Sequence, residues 1–203
     1  VALTTLPDLG LVAVLLDPFS GSITRTVLST GLAFTLDLEQ PATSLRLLDD
    51  KTALLWASDY LGSFHVVELD ALDTKKGKAV RTRFAGQQIQ DLIVLPAGAA
   101  FVALHPGGNS AVSVVDAETD RVTTFDQTGS LLGASLRADA SELVMLTLRS
   151  GDAWLVTLNL TTLHPTAVES PVPADTLLAL EPSGTLVTYD DTQRGTLSIW
   201  PAT

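Results

Sequence analysis

An all-β protein built from repeated four-stranded units is what this chain predicts, on three observations. The first is a repeat: Leu11-Val-Ala-Val-Leu-Leu-Asp-Pro-Phe-Ser-Gly21-Ser-Ile-Thr-Arg-Thr-Val-Leu28 recurs in pattern, without a gap, as Thr52-Ala-Leu-Leu-Trp-Ala-Ser-Asp-Tyr-Leu-Gly62-Ser-Phe-His-Val-Val-Glu-Leu69, at an offset of 69 − 28 = 41 residues. The second is regular spacing further on, since the matching strand ends at Asp70, Asp116, Asn159 and Pro201 are 46, 43 and 42 residues apart. The third is local: short β-branched or alternating apolar runs are separated by Gly, Pro, Asn and Asp, with no helical periodicity. Four strands in such a repeat make one blade of a β-propeller, whereas a solenoid coil is shorter and a sandwich does not repeat.

The blades follow in order over a single domain, as repeats of about residues 1–40, 41–88, 89–132, 133–173 and 174–203. The first unit is complete, starting with Ala2-Leu-Thr-Thr-Leu6. The third is the clearest, with strands over Asp91 to Leu95, Ala99 to Leu104, Ala111 to Val115 and Arg121 to Phe125. Its joints, Pro96-Ala-Gly98, His105-Pro-Gly-Gly-Asn-Ser110 and Asp116-Ala-Glu-Thr-Asp120, carry the Gly and Asx residues that tight turns require. The second unit is lengthened at its third joint by a Lys-rich insertion, which surface loops tolerate. The last unit has strands over Leu177 to Leu180, Thr185 to Tyr189 and Thr196 to Trp200, but no outer strand. An unpaired edge of this kind is usually covered. The expectation is therefore a segment of a larger ring of six to eight blades; the alternatives are a five-bladed ring closed without its last strand and a strand donated by another chain.

Composition excludes several function classes. With 46% hydrophobic residues and a mean hydropathy of +0.32 the chain can bury a core. It has no cysteine, so disulfide, thiolate and Cys-metal chemistry are absent. A net charge of −11 opposes nucleic acid and anionic membranes. No apolar run is long enough to span a bilayer. The chain begins at Val1 rather than Met, which leaves a removed leader and a longer parent protein as the two expectations. Acidic and Cys-free composition with small-residue turns suits an extracytoplasmic protein of the periplasm, envelope or secreted fraction. Lys75, Lys76, Lys78, Arg81 and Arg83 put five of the twelve basic residues within nine positions. They read either as a solvated loop and edge strand that discourages sheet-to-sheet pairing or as an anionic docking patch.

The phrase Asn109-Ser-Ala-Val-Ser-Val-Val-Asp-Ala-Glu-Thr-Asp-Arg-Val-Thr-Thr-Phe125 resembles the core of the YVTN-type β-propeller repeats, bacterial relatives of WD40-like blades. The other units lack its Asp-x-x-Thr turn, and none has the Gly-His and Trp-Asp pair of WD40 repeats. The resemblance implies a binding platform, with the connections between second and third strands and those between blades gathered on one face. Carried onto this chain, that face includes Asp59, Tyr60, His105, Asn109, Arg149, Asp152, Asp190 and Arg194, with Asp17, Asp191, Gln87, Gln88, Gln90, Thr128 and Asp175 beside them. Both charge signs occur, which suits a protein partner better than an ion.

Dedicated chemistry is not signalled. His65, His105 and His164 have no zinc-ligand spacing, the acidic turns do not match a calcium loop, and there is no G-x-S-x-G elbow. No metal, cofactor or catalytic activity is expected. The expected function is a non-catalytic protein-interaction scaffold in a larger bacterial assembly or envelope protein, whose open edge is completed by a partner or another part of the same ring. The alternative is a carbohydrate-active propeller, hydrolase or lectin, with Asp91 and Asp175 as its carboxylate pair. Trp56, Trp154 and Trp200 do not recur at one position of their repeats and read as core fillers rather than a sugar platform.

Overall fold

A computed structural model describes residues 1–73, 79–106, 112–125, 130–137, 139–172, 176–180, 186–190 and 195–200. Among them, strands fall into five sheets, each with its members side by side in chain order. The first holds β1 (Ala2–Leu6), β2 (Gly10–Asp17), β3 (Ser22–Val27) and β4 (Ala33–Asp37); the second holds β5 (Ser44–Leu47), β6 (Thr52–Trp56), β7 (Ser63–Glu68) and β8 (Val80–Phe84). The third holds β9 (Asp91–Val94), β10 (Ala100–Leu104), β11 (Val112–Asp116) and β12 (Val122–Phe125). The fourth holds β13 (Ser130–Leu136), β14 (Glu142–Arg149), β15 (Asp152–Asn159) and β16 (His164–Val172). The fifth has three strands, β17 (Thr176–Leu180), β18 (Leu186–Asp190) and β19 (Thr196–Trp200). The sheets are propeller blades, and the fifth lacks an outer strand among the described residues. One sequence boundary shifts: β13 begins at Ser130, ahead of residue 133, and its register slips between Leu131 and Gly133. That bulge interrupts the alternation and hides the strand's first turn from a periodicity reading.

The chain divides into two compact units, residues 1–94 with 115–122 and residues 95–114 with 123–203. In the first unit β2 buries Val12 and Val14 while leaving Leu11 and Leu15 exposed, the alternation that antiparallel pleating imposes. These side chains join Leu6, Ile23 and Val27 in one core with Ala53, Leu55, Val67, Leu69 and Leu72 from the second sheet and the segment between its third and fourth strands. In the second unit β14 buries Leu143 through Thr147 as a continuous run, and β15 adds Ala153, Leu155, Val156 and Leu158. Continuous burial marks a strand covered on both faces.

A five-residue turn recurs and sets the strand ends. Gly21 N–H donates to the Asp17 carbonyl at 3.0 Å, Gly31 to Val27 at 2.8 Å, Asp120 to Asp116 at 3.0 Å and Leu163 to Asn159 at 2.9 Å. In all four the last residue has a positive φ, between 57° and 71°. Glycine accepts that conformation without strain, and the Asp120 and Leu163 turns offset it with side-chain caps. Asp116 Oδ1 accepts from the N–H groups of Glu118 and Thr119, and Asn159 Oδ1 accepts from those of Thr161 and Thr162.

Candidate functional site

Antiparallel order puts the joints between second and third strands at one end of each blade, together with the linker leaving the fourth strand. In the first two sheets this end is built from four segments: residues 17–22, 37–44, 57–63 and 84–90. Asp17 caps the first turn by accepting from the N–H groups of Phe19 and Ser20 at 2.9 and 3.3 Å. Asp59 caps the second, accepting from Ser63 N–H at 3.2 Å and Ser63 Oγ at 2.6 Å. The linkers clamp both turns. Leu38 N–H donates to the Gly21 carbonyl, and Ala85 and Gly86 N–H donate to Gly62 and Leu61. Gly62 has φ +62°, and a Cβ there would lie 1.9 Å from the Gln87 carbonyl oxygen, so only glycine fits.

Those held turns leave large apolar side chains in water. Phe19 is 100% exposed and Tyr60 82%, and they occupy the same repeat position, since 19 + 41 = 60. Leu61 and Phe84 are also exposed, with Phe84 opposite Ser63 in the β7–β8 register. Between the two turns, His65 ties the first linker to the second sheet, pairing through Nε2 with the Gln40 carbonyl at 2.8 Å and through Nδ1 with Thr82 Oγ1 at 3.0 Å. Burial pushes the His65 imidazole below its ordinary value, against the opposing pull of the Gln40 carbonyl and the charges of Glu39 and Asp59. Burial would raise Asp59, but its hydrogen bonds from Ser63, Gly62 and Leu61 outweigh that and hold it low. The bond from Ser20, then those from the Phe19 and Ser20 N–H groups, lower Asp17.

Arginines tie each of these sheets to the segment after the third strand of the next. Arg25 on β3 is fully buried, donates from Nη1 to the Leu69 carbonyl at 2.5 Å and stacks on Phe34. Its Nη2 lies 3.2 Å from Asp73 Oδ2 without hydrogen-bond alignment, and its Nε and Nη2 have no hydrogen-bond partner among the described residues. Arg83 on β8 donates to Asp120 Oδ1 and to the Ala117 carbonyl, each at 2.7 Å, and Arg81 donates to Asp120 Oδ2 at 2.9 Å. Burial would raise the Asp120 carboxyl, but Arg81 and Arg83 hold it below its ordinary range.

The residues singled out from sequence fall in different places. Tyr60 is at the surface, while the carboxylate of Asp59 is occupied by its own turn. His105 is 1% exposed, and its Nε2 lies 2.8 Å from Ser113 Oγ, which takes it off the contact surface. Arg149 and Asp152 face each other across a two-residue turn whose Ser150 and Gly151 both have positive φ, the geometry a tight hairpin needs. Asp190 ends β18. Asn109, Arg194, Asp191, Thr128 and Asp175 lie outside the described residues, as do Lys75, Lys76 and Lys78 of the basic cluster. Its other members, Arg81 and Arg83, are turned onto Asp120. Of the proposed carboxylate pair, Asp91 accepts from Arg46 Nη2 at 2.8 Å and from Leu92 N–H at 2.7 Å. Among the described residues no group of three or more His, Asp or Glu is placed to hold a metal. No described helix is long and apolar enough to cross a membrane. Sequence reading missed Phe19, Leu61 and Phe84, although the 41-residue offset puts Phe19 where Tyr60 had been noticed.

No protein-family model matches the chain, and no curated protein matches it in sequence. Solved structures do match in fold. A chain of Kuenenia stuttgartiensis hydrazine synthase superposes with a TM-score of 0.61 at 13% identity, covering 98% of this chain and 65% of that one. A chain from a crystal structure of the mitotic checkpoint complex gives a TM-score of 0.62 at 14% identity, covering 95% and 57%. At these identities the likeness shows the fold alone. This chain spans less than two thirds of the length of either.

Proposed function

We propose that this chain is a non-catalytic protein-interaction module, a segment of a larger bacterial propeller of YVTN-type blades that works as a scaffold outside the cytoplasm. The observation that carries the reading is the pair of aromatic side chains, Phe19 and Tyr60, held in water on capped turns at equivalent positions of successive blades. Rigid turns lose little entropy on docking, and exposed aromatics are the side chains that anchor protein interfaces. A net charge of −11 favours a protein over nucleic acid, and the absence of cysteine fits an oxidising compartment without requiring one. The engagement of Asp91 with Arg46 supports a structural use of that carboxylate. In this reading the outer edge of β19 is covered by a strand from another blade or from the partner, as sheet edges generally are.

The test is affinity capture from native extract with the chain as bait, beside a Phe19→Ala/Tyr60→Ala variant of matched thermal stability. A stoichiometric protein held by the first and lost by the second is the expected result. Turnover of a polysaccharide panel that disappears in Asp91→Asn, with the fold retained, would overturn the non-catalytic reading.

A further inference from the structure

The four segments at the Phe19 and Tyr60 end of the first two sheets share a charge pattern. Residues 17–22, 37–44, 57–63 and 84–90 contain Asp17, Asp37, Glu39 and Asp59 but no Lys, Arg or His. The other end of the same sheets is mixed, with Lys51 beside Asp70 and Arg25 beside Asp73, while Arg46 and Arg83 on the strands next to these segments are taken up by Asp91 and Asp120. The four segments thus carry carboxylates and no basic side chain of their own. At their end Phe19, Tyr60, Leu61 and Phe84 stand exposed, and Asp37 and Glu39 are exposed between the two turns. The linker that carries Glu39 is fixed to both sheets, by Leu38 to Gly21 and by Gln40 to His65, so its carboxylate and the aromatic tips belong to one held surface.

Resting on the interaction reading above, we propose that this end docks a cationic segment of a protein partner, one that alternates Arg or Lys with aliphatic side chains. Guanidinium or ammonium groups stack over Phe19 and Tyr60 while the surrounding carboxylates remain in water, and the aliphatic residues cover Leu61 and Phe84. Exposed cation–π contacts and rim carboxylates each contribute modestly, so selectivity comes from meeting both in one register. An acidic segment is repelled, and a neutral apolar one gains only the aromatic part. Because the rim charges face water, the attraction weakens as salt shortens the screening length.

The experiment is fluorescence anisotropy on the intact chain with three labelled peptides of four repeats each: Gly-Leu-Arg, Gly-Leu-Gln and Gly-Leu-Glu. Binding is expected for the first alone, weakened about tenfold by Tyr60→Ala or Phe19→Ala. It is also weakened by Asp37→Asn/Glu39→Gln, which touches no turn cap, and by raising salt from about 0.05 to about 0.5 M. Equal binding of the Arg and Gln peptides, or Arg-peptide binding indifferent to both aromatic variants, overturns the proposal, as does no binding of any peptide. If the peptides fail while protein capture still depends on Phe19 and Tyr60, the cationic partner is wrong and the interaction reading stands.

Discussion

The two ends of the first and second blades are made from the same strands and treated oppositely. At one end Arg25 reaches from the first sheet to the segment after the third strand of the next, at Leu69 and Asp73. At the other end the turns cap themselves with Asp17 and Asp59 and leave Phe19 and Tyr60 in water. The difference teaches that the buried arginine tie lies away from the exposed aromatics, whose own end is joined across blades by His65 and the Gln40 carbonyl, so substitutions should sort by end.

The largest effect is expected at Arg25. Arg25→Ala leaves a cavity and an uncompensated Asp73, and should lower unfolding free energy by about 3 kcal/mol in urea titration. Arg25→Met, which keeps the volume, should recover most of that; equal losses in the two variants would mean that packing contributes nothing there. Next comes Gly62→Ala, where both the positive φ and the Gln87 carbonyl oppose a side chain, expected to cost about 2 kcal/mol or more. Gly86→Ala, with φ +83° and nothing within 4 Å among the described residues, should cost about 1 kcal/mol, and the gap between the two measures the close approach.

A smaller effect concerns acidity. His65 is held neutral by burial, so its folded pKa lies below the unfolded one. The unfolded chain therefore takes up the proton first as pH falls, and stability contributed above the ordinary value near 6.5 drains as pH drops toward the folded pKa. Melting temperature should decline from pH 7 toward pH 5, and His65→Gln should flatten that part of the profile. The smallest effect is at the exposed tips. Phe19→Ala and Tyr60→Ala should leave stability within about 0.5 kcal/mol while abolishing partner capture. A large destabilisation at either would erase the distinction between the ends.

Strands were legible because they are local. Alternation and turn residues placed β1, β9 to β12 and β19 within a residue or so of their sequence bounds. The turn in the fourth blade was not recognised, because Asn159 and Thr162 stand where Asp116 and Thr119 stand in the third; the side-chain caps are the same, but the letter differs. The roles of Asp91 and Arg83 depend on partners 45 and 37 residues away, and no short-range pattern carries such pairings. His105 illustrates the same limit: its turn position suggested a surface, but Ser113 draws it inside.

The blade-to-blade contacts have a fixed reach along the chain. Thr4 to Asp50, Arg25 to Leu69 and Arg46 to Leu92 span 46, 44 and 46 residues, one repeat each. During synthesis, at roughly 5 to 20 residues per second, each blade therefore waits about two to nine seconds for the neighbour that covers it. In that interval Val12, Val14 and Ile23 lack the Ala53, Leu55 and Val67 side chains that share their core. A ribosome pausing within the second repeat prolongs that exposure, whereas a pause after it does not.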